Sequence, residues 1–153
     1  MPMIQKDEGG KESGDPIMIE TDLFEHREVK PHFINPCCFG EDFAMWLKQE
    51  LLRFTDLGFE YSEPIQEDYG WGIWALRVKD RFWIALSYVG DGPQESPAQW
   101  VVSVASDPGL NLAKRLFRKS DRQALGQLRD KVLEILTSNS AIKIRSEPPS
   151  QNR

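Results

Sequence analysis

The stretch from Gly70 to Val89 decides the fold: residues 70–79 read GWGIWALRVK, residues 80–81 read DR and residues 82–89 read FWIALSYV. Both flanks are rich in β-branched and aromatic residues, which suit a pleated, half-buried sheet surface. The dipeptide Asp80-Arg81 stands where a two-residue hairpin turn would lie. The stretch therefore predicts a β-hairpin, and its strands are apolar enough to belong in the middle of a sheet.

A turn at Asp80-Arg81 determines which side chains share a face of this hairpin. It places Val78 opposite Trp83, Leu76 opposite Ala85 and Trp74 opposite Ser87. The other side chains alternate onto the second face, because successive residues of a strand point to opposite sides. We expect helices to cover the face that carries Trp74 and Trp83.

Two segments with helical periodicity flank the hairpin. Residues 41–55 repeat apolar side chains at helical spacing and begin with two acidic residues, which favour the positive end of the helix dipole. Residues 121–137 carry an amphipathic stripe that follows a capping box at Ser120. Further strands are predicted at 16–29, 59–61, 99–106 and 141–145. The chain therefore predicts an α+β fold, in which an antiparallel sheet of about four to six strands carries both long helices on one face.

The length of 153 residues is that of one domain. Residues 1–15 are polar, so we expect a disordered leader there, followed by a single α+β domain over 16–146 and a flexible tail over 147–153. The leader lacks the apolar core of a secretory signal, and no run in the sequence is long and apolar enough to span a membrane. These features predict a cytoplasmic location.

Charge is distributed unevenly along the chain, which has a formal net charge of −5 at pH 7. Residues 1–69 contain 16 acidic and 6 basic residues, whereas residues 70–153 contain 8 acidic and 13 basic residues. The basic run that includes Lys114, Arg115 and Arg118 is a candidate binding surface. Nucleic-acid binding needs such a cluster, but the acidic chain as a whole favours a protein partner or the acidic half of the same domain.

His26, His32, Cys37 and Cys38 comprise all the histidines and cysteines of the sequence. Imidazoles and thiolates serve both as metal ligands and as nucleophile pairs. The spacing matches neither a zinc-finger pattern nor a recognisable nucleophile context, and adjacent cysteines rarely bridge each other. We therefore expect no metal, no cofactor and two reduced cysteines, with a Cys–His pair as the alternative.

An acidic loop precedes the hairpin, and Glu63, Glu67 and Asp68 in it are followed by Tyr69 and Trp71. Paired carboxylates beside aromatic residues hold sugars in glycosidases, whereas a solvated acidic loop needs no such role. The glycines on both sides of Trp71 indicate close approach of a backbone or a ligand, or a bulge that tucks Trp71 into the core. Of the five tryptophans, we expect Trp71 to be the exposed one.

The sequence contains no Walker loop, no GxGxxG motif and no nucleophile elbow. The leading hypothesis is a small non-catalytic protein-binding module, of the bacterial accessory or immunity type, that uses the acidic loop with Trp71 and the basic run. One alternative is a small-ligand or carbohydrate-binding domain that uses Tyr69 and Trp71, and another is a Cys/His or paired-carboxylate hydrolase. Self-association through an edge strand would give a homodimer.

Overall fold

The structure is a computed structural model and describes residues 15–35, 38–78, 80–89, 97–106 and 119–145. Within these ranges it contains seven β-strands and two α-helices. In chain order they are β1 (Ile17–Glu20), α1 (Glu41–Leu52), β2 (Glu60–Tyr61), β3 (Ile65–Glu67), β4 (Gly70–Arg77), β5 (Asp80–Val89), β6 (Gln99–Ser106), α2 (Lys119–Ser138) and β7 (Lys143–Arg145).

The strands form one sheet in the order β2-β4-β5-β6-β1-β7, and β3 pairs with β4 beside β2. Every pairing in it is antiparallel. The predicted pairing of the 99–106 strand with the second strand of the hairpin is confirmed, since β6 pairs with β5 along its whole length. The α+β fold with an antiparallel sheet is therefore confirmed, and the described strands number one more than predicted.

Both helices pack on one face of the sheet. α1 lies against β4, α2 lies against β5, β6 and β7, and the two helices contact each other. Side chains four residues apart share a stripe on a helix, which is the stripe that the sequence marks as apolar. The fully buried members of the two stripes are Phe43, Ala44, Leu47 and Leu51 on α1 and Leu128, Val132 and Leu136 on α2.

The hairpin has a different register from the predicted one. Arg77 pairs with Asp80, so β5 begins two residues earlier than expected and Trp74 stands opposite Trp83 instead of Ser87. The Arg77 guanidinium holds this register, because it lies 3.1 Å from the Asp80 carboxylate and donates to the Leu57 carbonyl oxygen at 3.0 Å. The predicted turn at Asp80-Arg81 is therefore wrong.

The face that the helices cover is also the opposite of the expected one. The hairpin side chains that are fully buried beneath the helices are Ile73, Ala75, Phe82, Ile84 and Leu86. Trp74 and Trp83 are only half-buried, on the other face. The alternation of side chains was read correctly, but the indoles of Trp74 and Trp83 pack on each other on the other face, with ring centroids 4.7 Å apart.

The first strand is shorter than its prediction over 16–29. β1 ends at Glu20. The next residue, Thr21, donates its amide to the Ala98 carbonyl oxygen at 2.9 Å and its hydroxyl to the Ala141 carbonyl oxygen at 2.8 Å. Further along, the Glu25 amide donates to the Asp42 carboxylate at 2.7 Å, which ties the rest of the predicted strand to the start of α1.

The other boundaries differ less. α1 ends at Leu52 instead of residue 55, α2 begins at Lys119 instead of residue 121, and β3 lies inside the predicted acidic loop. The expected leader and tail lie almost entirely outside the described residues. No helix among the described residues is long and apolar enough to cross a membrane.

Two glycines allow a matched test of this packing. A Cβ at Gly72 would collide with the Trp83 ring and would lie 2.7 Å from the Ile84 carbonyl oxygen. Overpacking of this kind costs about 1–3 kcal/mol, so we expect Gly72→Ala to lower the free energy of unfolding in urea by that amount.

Gly126 in α2 is the control, because an added Cβ there meets no atom within 4 Å. Alanine in a helix interior is favoured over glycine by about 0.5–1 kcal/mol, so Gly126→Ala should stabilise the protein. Equal effects of the two substitutions would contradict the packing of Trp83 over Gly72.

Candidate functional site

The sheet face opposite the helices carries a continuous set of half-buried apolar side chains. Strand alternation places on it every second residue of β4, β5 and β6, together with Met18 of β1. Its half-buried apolar members are Met18, Trp74, Leu76, Trp83, Ala85, Val89, Val101 and Ala105, and Ile65 of β3, opposite Gly72, adds an exposed one. We call this surface the open face, because both described helices pack on the other side. Contiguous apolar surface of this kind marks an interaction site more often than scattered apolar residues do.

Four side chains form a row across one half of the open face. The Trp83 indole N–H donates to the Tyr69 hydroxyl oxygen at 2.6 Å, and the Trp83 ring packs against Trp74 at an interplanar angle of 55°. The Arg81 guanidinium lies over the Trp74 ring, 4.5 Å from its centroid. We call Tyr69, Trp83, Trp74 and Arg81 the aromatic row. Tryptophan, tyrosine and arginine are the residue types that most often dominate the energy of protein interfaces.

Two glycines of β4 give the aromatic row its shape. Gly72 leaves the space that the Trp83 ring occupies, and Gly70 brings the backbone so close to β5 that a Cβ would collide with the Leu86 carbonyl oxygen. The close approach that the glycines indicated is therefore the approach of a neighbouring strand and its indole. It keeps Trp83 flat against the sheet instead of extended into solvent.

The electrostatics of Tyr69 keep the row neutral at its outer end. Partial burial raises the pKa of the Tyr69 phenol above its ordinary value of 10, the hydrogen bond from Trp83 opposes this shift, and the Glu67 carboxylate adds to it. The phenol therefore remains protonated at pH 7, with its oxygen accepting the indole N–H.

The structure places Trp71 in the core, so the expectation that it is the exposed tryptophan is wrong. Its side chain is 5% exposed, and its indole N–H donates to the Cys38 carbonyl oxygen at 2.8 Å. The Phe33 ring packs on it with centroids 5.1 Å apart. Trp71 points to the helix side because it alternates with the two glycines, so it offers no surface to a ligand.

The acidic residues of the loop separate from one another. Glu63 is 79% exposed and pairs with Lys48 of α1 at 2.9 Å, whereas Glu67 stands opposite Gly70 at the edge of the open face. Asp68 is exposed. Of the residues predicted to bind, Tyr69 and Glu67 therefore lie on or beside the aromatic row, while Lys114, Arg115 and Arg118 lie outside the described residues.

The histidines and the described cysteine have partners of their own. His26 is buried, with its Nδ1 3.1 Å from the Phe24 carbonyl oxygen, and His32 lies 2.7 Å from the Glu41 carboxylate. Cys38 is disulfide-bonded, which corrects the expectation of two reduced cysteines, and Cys37 lies outside the described residues. A bonded sulfur is not a thiolate nucleophile. The described part of the chain holds no group of three or more His, Cys, Asp or Glu side chains that could bind a metal ion.

Comparison of the chain with protein-family models, with curated protein sequences and with solved structures found no match.

Reasoning from the sequence missed Trp74, Trp83 and Arg81 as surface residues. The signal that could have found them is Gly72, since a glycine in a strand beside tryptophans leaves room for a ring to lie on the sheet.

Tryptophan fluorescence tests these positions directly. We expect the Trp74→Phe, Trp83→Phe double variant to lose a large part of the emission that acrylamide quenches readily in dilute protein, because both indoles are only half-buried. Trp46, which is also half-buried, should account for the remaining quenchable emission. Trp71→Phe and Trp100→Phe should leave that quenchable component in place, since both side chains are buried. A large loss of quenching in Trp71→Phe would overturn this assignment.

The electrostatics of Tyr69 give a second test, by absorbance at 295 nm during alkaline titration. The phenolate of Tyr69 should form above pH 10, and Glu67→Gln should lower its pKa, because the removed carboxylate disfavours a second negative charge. Glu63→Gln is the control, since Glu63 pairs with Lys48. An unchanged Tyr69 pKa in Glu67→Gln would show that the two groups do not face each other.

Proposed function

We propose that this chain is a non-catalytic protein-binding module that binds its partner through the open face, with the aromatic row at the centre of the contact. One observation supports this most strongly: four side chains of the types that dominate interface energies contact one another on a sheet face that neither described helix covers.

The Trp83 ring is suited to burial because its indole N–H is already satisfied within the row. The Trp83 N–H is bonded to Tyr69, so a partner could cover the indole without leaving an unpaired donor, which would cost about 1–3 kcal/mol. Mutual packing of the rings also restricts their rotation before binding. A contact that orders few further side chains loses little of its energy to conformational entropy.

The edges of the open face carry charged side chains, as the rim of a protein interface does, and one edge also carries the exposed Ile65. Glu60 and Glu67 lie at one edge, and Lys143 and Arg145 lie at the other. An apolar centre with a charged rim favours a protein partner that presents a flat apolar surface of its own.

A carbohydrate ligand is the second candidate, because Tyr69 is 45% exposed and the Glu67 carboxylate is close enough to raise its pKa. In this candidate function Trp83, instead of the predicted Trp71, would contact the sugar together with Tyr69. Small-ligand sites are concave, whereas the aromatic row lies on a sheet surface. A cavity of about 500 Å³ lies at the β1–β7 edge of the sheet, away from Tyr69 and Trp83. It is lined by Glu20, Thr21, Asp22, Leu23, Pro97, Ala141 and Lys143. The protein partner is therefore the favoured proposal.

Site-specific photocrosslinking tests the proposal. We expect a photoreactive phenylalanine at Ser87 or Ser103, both on the open face, to give discrete protein adducts in a lysate of the cells that carry the gene. The same group at Gln127, exposed on α2, should not. The adduct partner would then be identified by mass spectrometry, purified and titrated against the wild-type chain.

Trp83→Ala should weaken that purified complex about 30-fold or more, because loss of a dominant interface residue costs about 2 kcal/mol or more. Leu52→Ala, an exposed position on α1, should change the affinity little. Adducts from Gln127 alone, or an affinity that Trp83→Ala leaves unchanged, would refute the proposed function. Tight binding of an oligosaccharide that quenches Trp83 would replace it with the second candidate.

A further inference from the structure

We infer that the partner of the open face is a second copy of this chain. The two sheets would pack face to face about a two-fold axis that runs parallel to the strands, between β5 and β6. This inference rests on the proposed function and names the partner of that same surface. Two such sheets would lie about 10 Å apart, as the sheets of a β-sandwich do.

The sheet edges are poorly suited to the alternative, a dimer that pairs edge strands. β7 at one edge is three residues long, and β2 and β3 at the other are two and three residues long. β7 also carries Lys143 and Arg145. Short edges with basic side chains are a common means of preventing strand pairing between molecules, so the predicted edge-strand homodimer is the less favoured arrangement.

The two halves of the open face are complementary in size. Trp74 stands opposite Trp83, and Trp83 stands opposite Ala105 of β6. The neighbouring cross-strand row consists of Gly72, Ala85 and Ser103. A two-fold axis between β5 and β6 would set the Trp83 ring of one copy over Ala105 of the other. The bulky half of each face would then fill the shallow half of its partner, which interdigitation of two sheets requires.

The charges at the two edges are complementary in the same arrangement. Glu67 lies opposite Gly70 at one end of a row that continues through Ser87, Val101 and Met18 to Arg145. The proposed axis crosses this row at its middle, so Glu67 of each copy would lie over Arg145 of the other. Arg145 already pairs with Glu20 in its own chain, and the second carboxylate would extend that pair into a network.

The size of the open face is also adequate. The three central strands β4, β5 and β6 have eight to ten residues each, and the other four strands have two to four each. At about 3.3 Å per residue and about 4.8 Å per strand, the projected area is on the order of 600 Å², and side-chain relief increases the accessible area. A standard protein interface buries about 800 Å² per partner, so this face alone approaches what a stable dimer needs.

Sedimentation equilibrium of the full chain tests the inference. We expect the wild-type chain to form a dimer, and Ala105→Trp to weaken its association about tenfold or more, because the added indole fills the space that receives Trp83 of the other copy. Gln127→Trp on the exposed side of α2 is the matched control and should leave the association unchanged. Circular dichroism and urea unfolding establish that each variant is folded.

Charge reversal provides a second test that does not depend on the indole. Glu67→Arg and Arg145→Glu should each weaken self-association, since each brings like charges together at both contacts of the dimer. An equimolar mixture of the two variants should associate more tightly than either alone, because both contacts of the mixed dimer then join opposite charges.

Three outcomes would overturn the inference: a monomeric wild-type chain at hundreds of micromolar, a dimer that Ala105→Trp leaves unchanged, or a mixture no tighter than its components. If photocrosslinking from Ser103 meanwhile captures a different protein with an affinity that depends on Trp83, the proposed function stands and only the identity of the partner fails. If neither a second copy nor another protein crosslinks from Ser103, both fail.

Discussion

The antiparallel pairing of Trp74 with Trp83 is the constraint on which the rest of the structure depends. The Arg77–Asp80 ion pair holds the register at the hairpin end, and the space above Gly72 receives the Trp83 ring. A shift of β5 by one residue against β4 would exchange the faces of β5. Phe82 and Ile84 would then leave the core, and the Trp83 indole would have to fit beneath the helices.

This pairing gives the described part of the molecule two layers, in which neither described helix covers the open face. Half-buried indoles at the middle of that face keep apolar surface in contact with water, which is unfavourable by roughly 25 cal/mol per Å². Natural sequences place polar side chains on the solvent face of an antiparallel sheet when no partner covers it. The apolar residues on the open face are therefore consistent with selection for binding, and Trp74, Trp83 and Ala105 provide both large and small surfaces.

The residue pattern predicted the α+β class, the central hairpin, the 99–106 strand and both helices, because strand alternation and helical periodicity are local properties. It could not predict which face of the hairpin the helices cover, since both faces are apolar and the choice depends on helix packing across the whole sheet. The prediction of the turn at Asp80-Arg81 was wrong because Asp80 pairs with Arg77, which makes Asp80 the first residue of β5. Trp71 was misplaced for a related reason: the two glycines make room for Trp83 and backbone contacts, while the alternating Trp71 enters the core.

The most direct test of the central claim, that the open face is occupied by a second copy, is the rate of thiol labelling at Ser103→Cys across a dilution series. Ser140→Cys, exposed beyond the end of α2, provides the reference rate. The account predicts that labelling at residue 103 is fast at nanomolar protein and slows several-fold as the concentration rises to hundreds of micromolar, while labelling at residue 140 stays constant. Equal labelling of residue 103 at all concentrations would contradict the account.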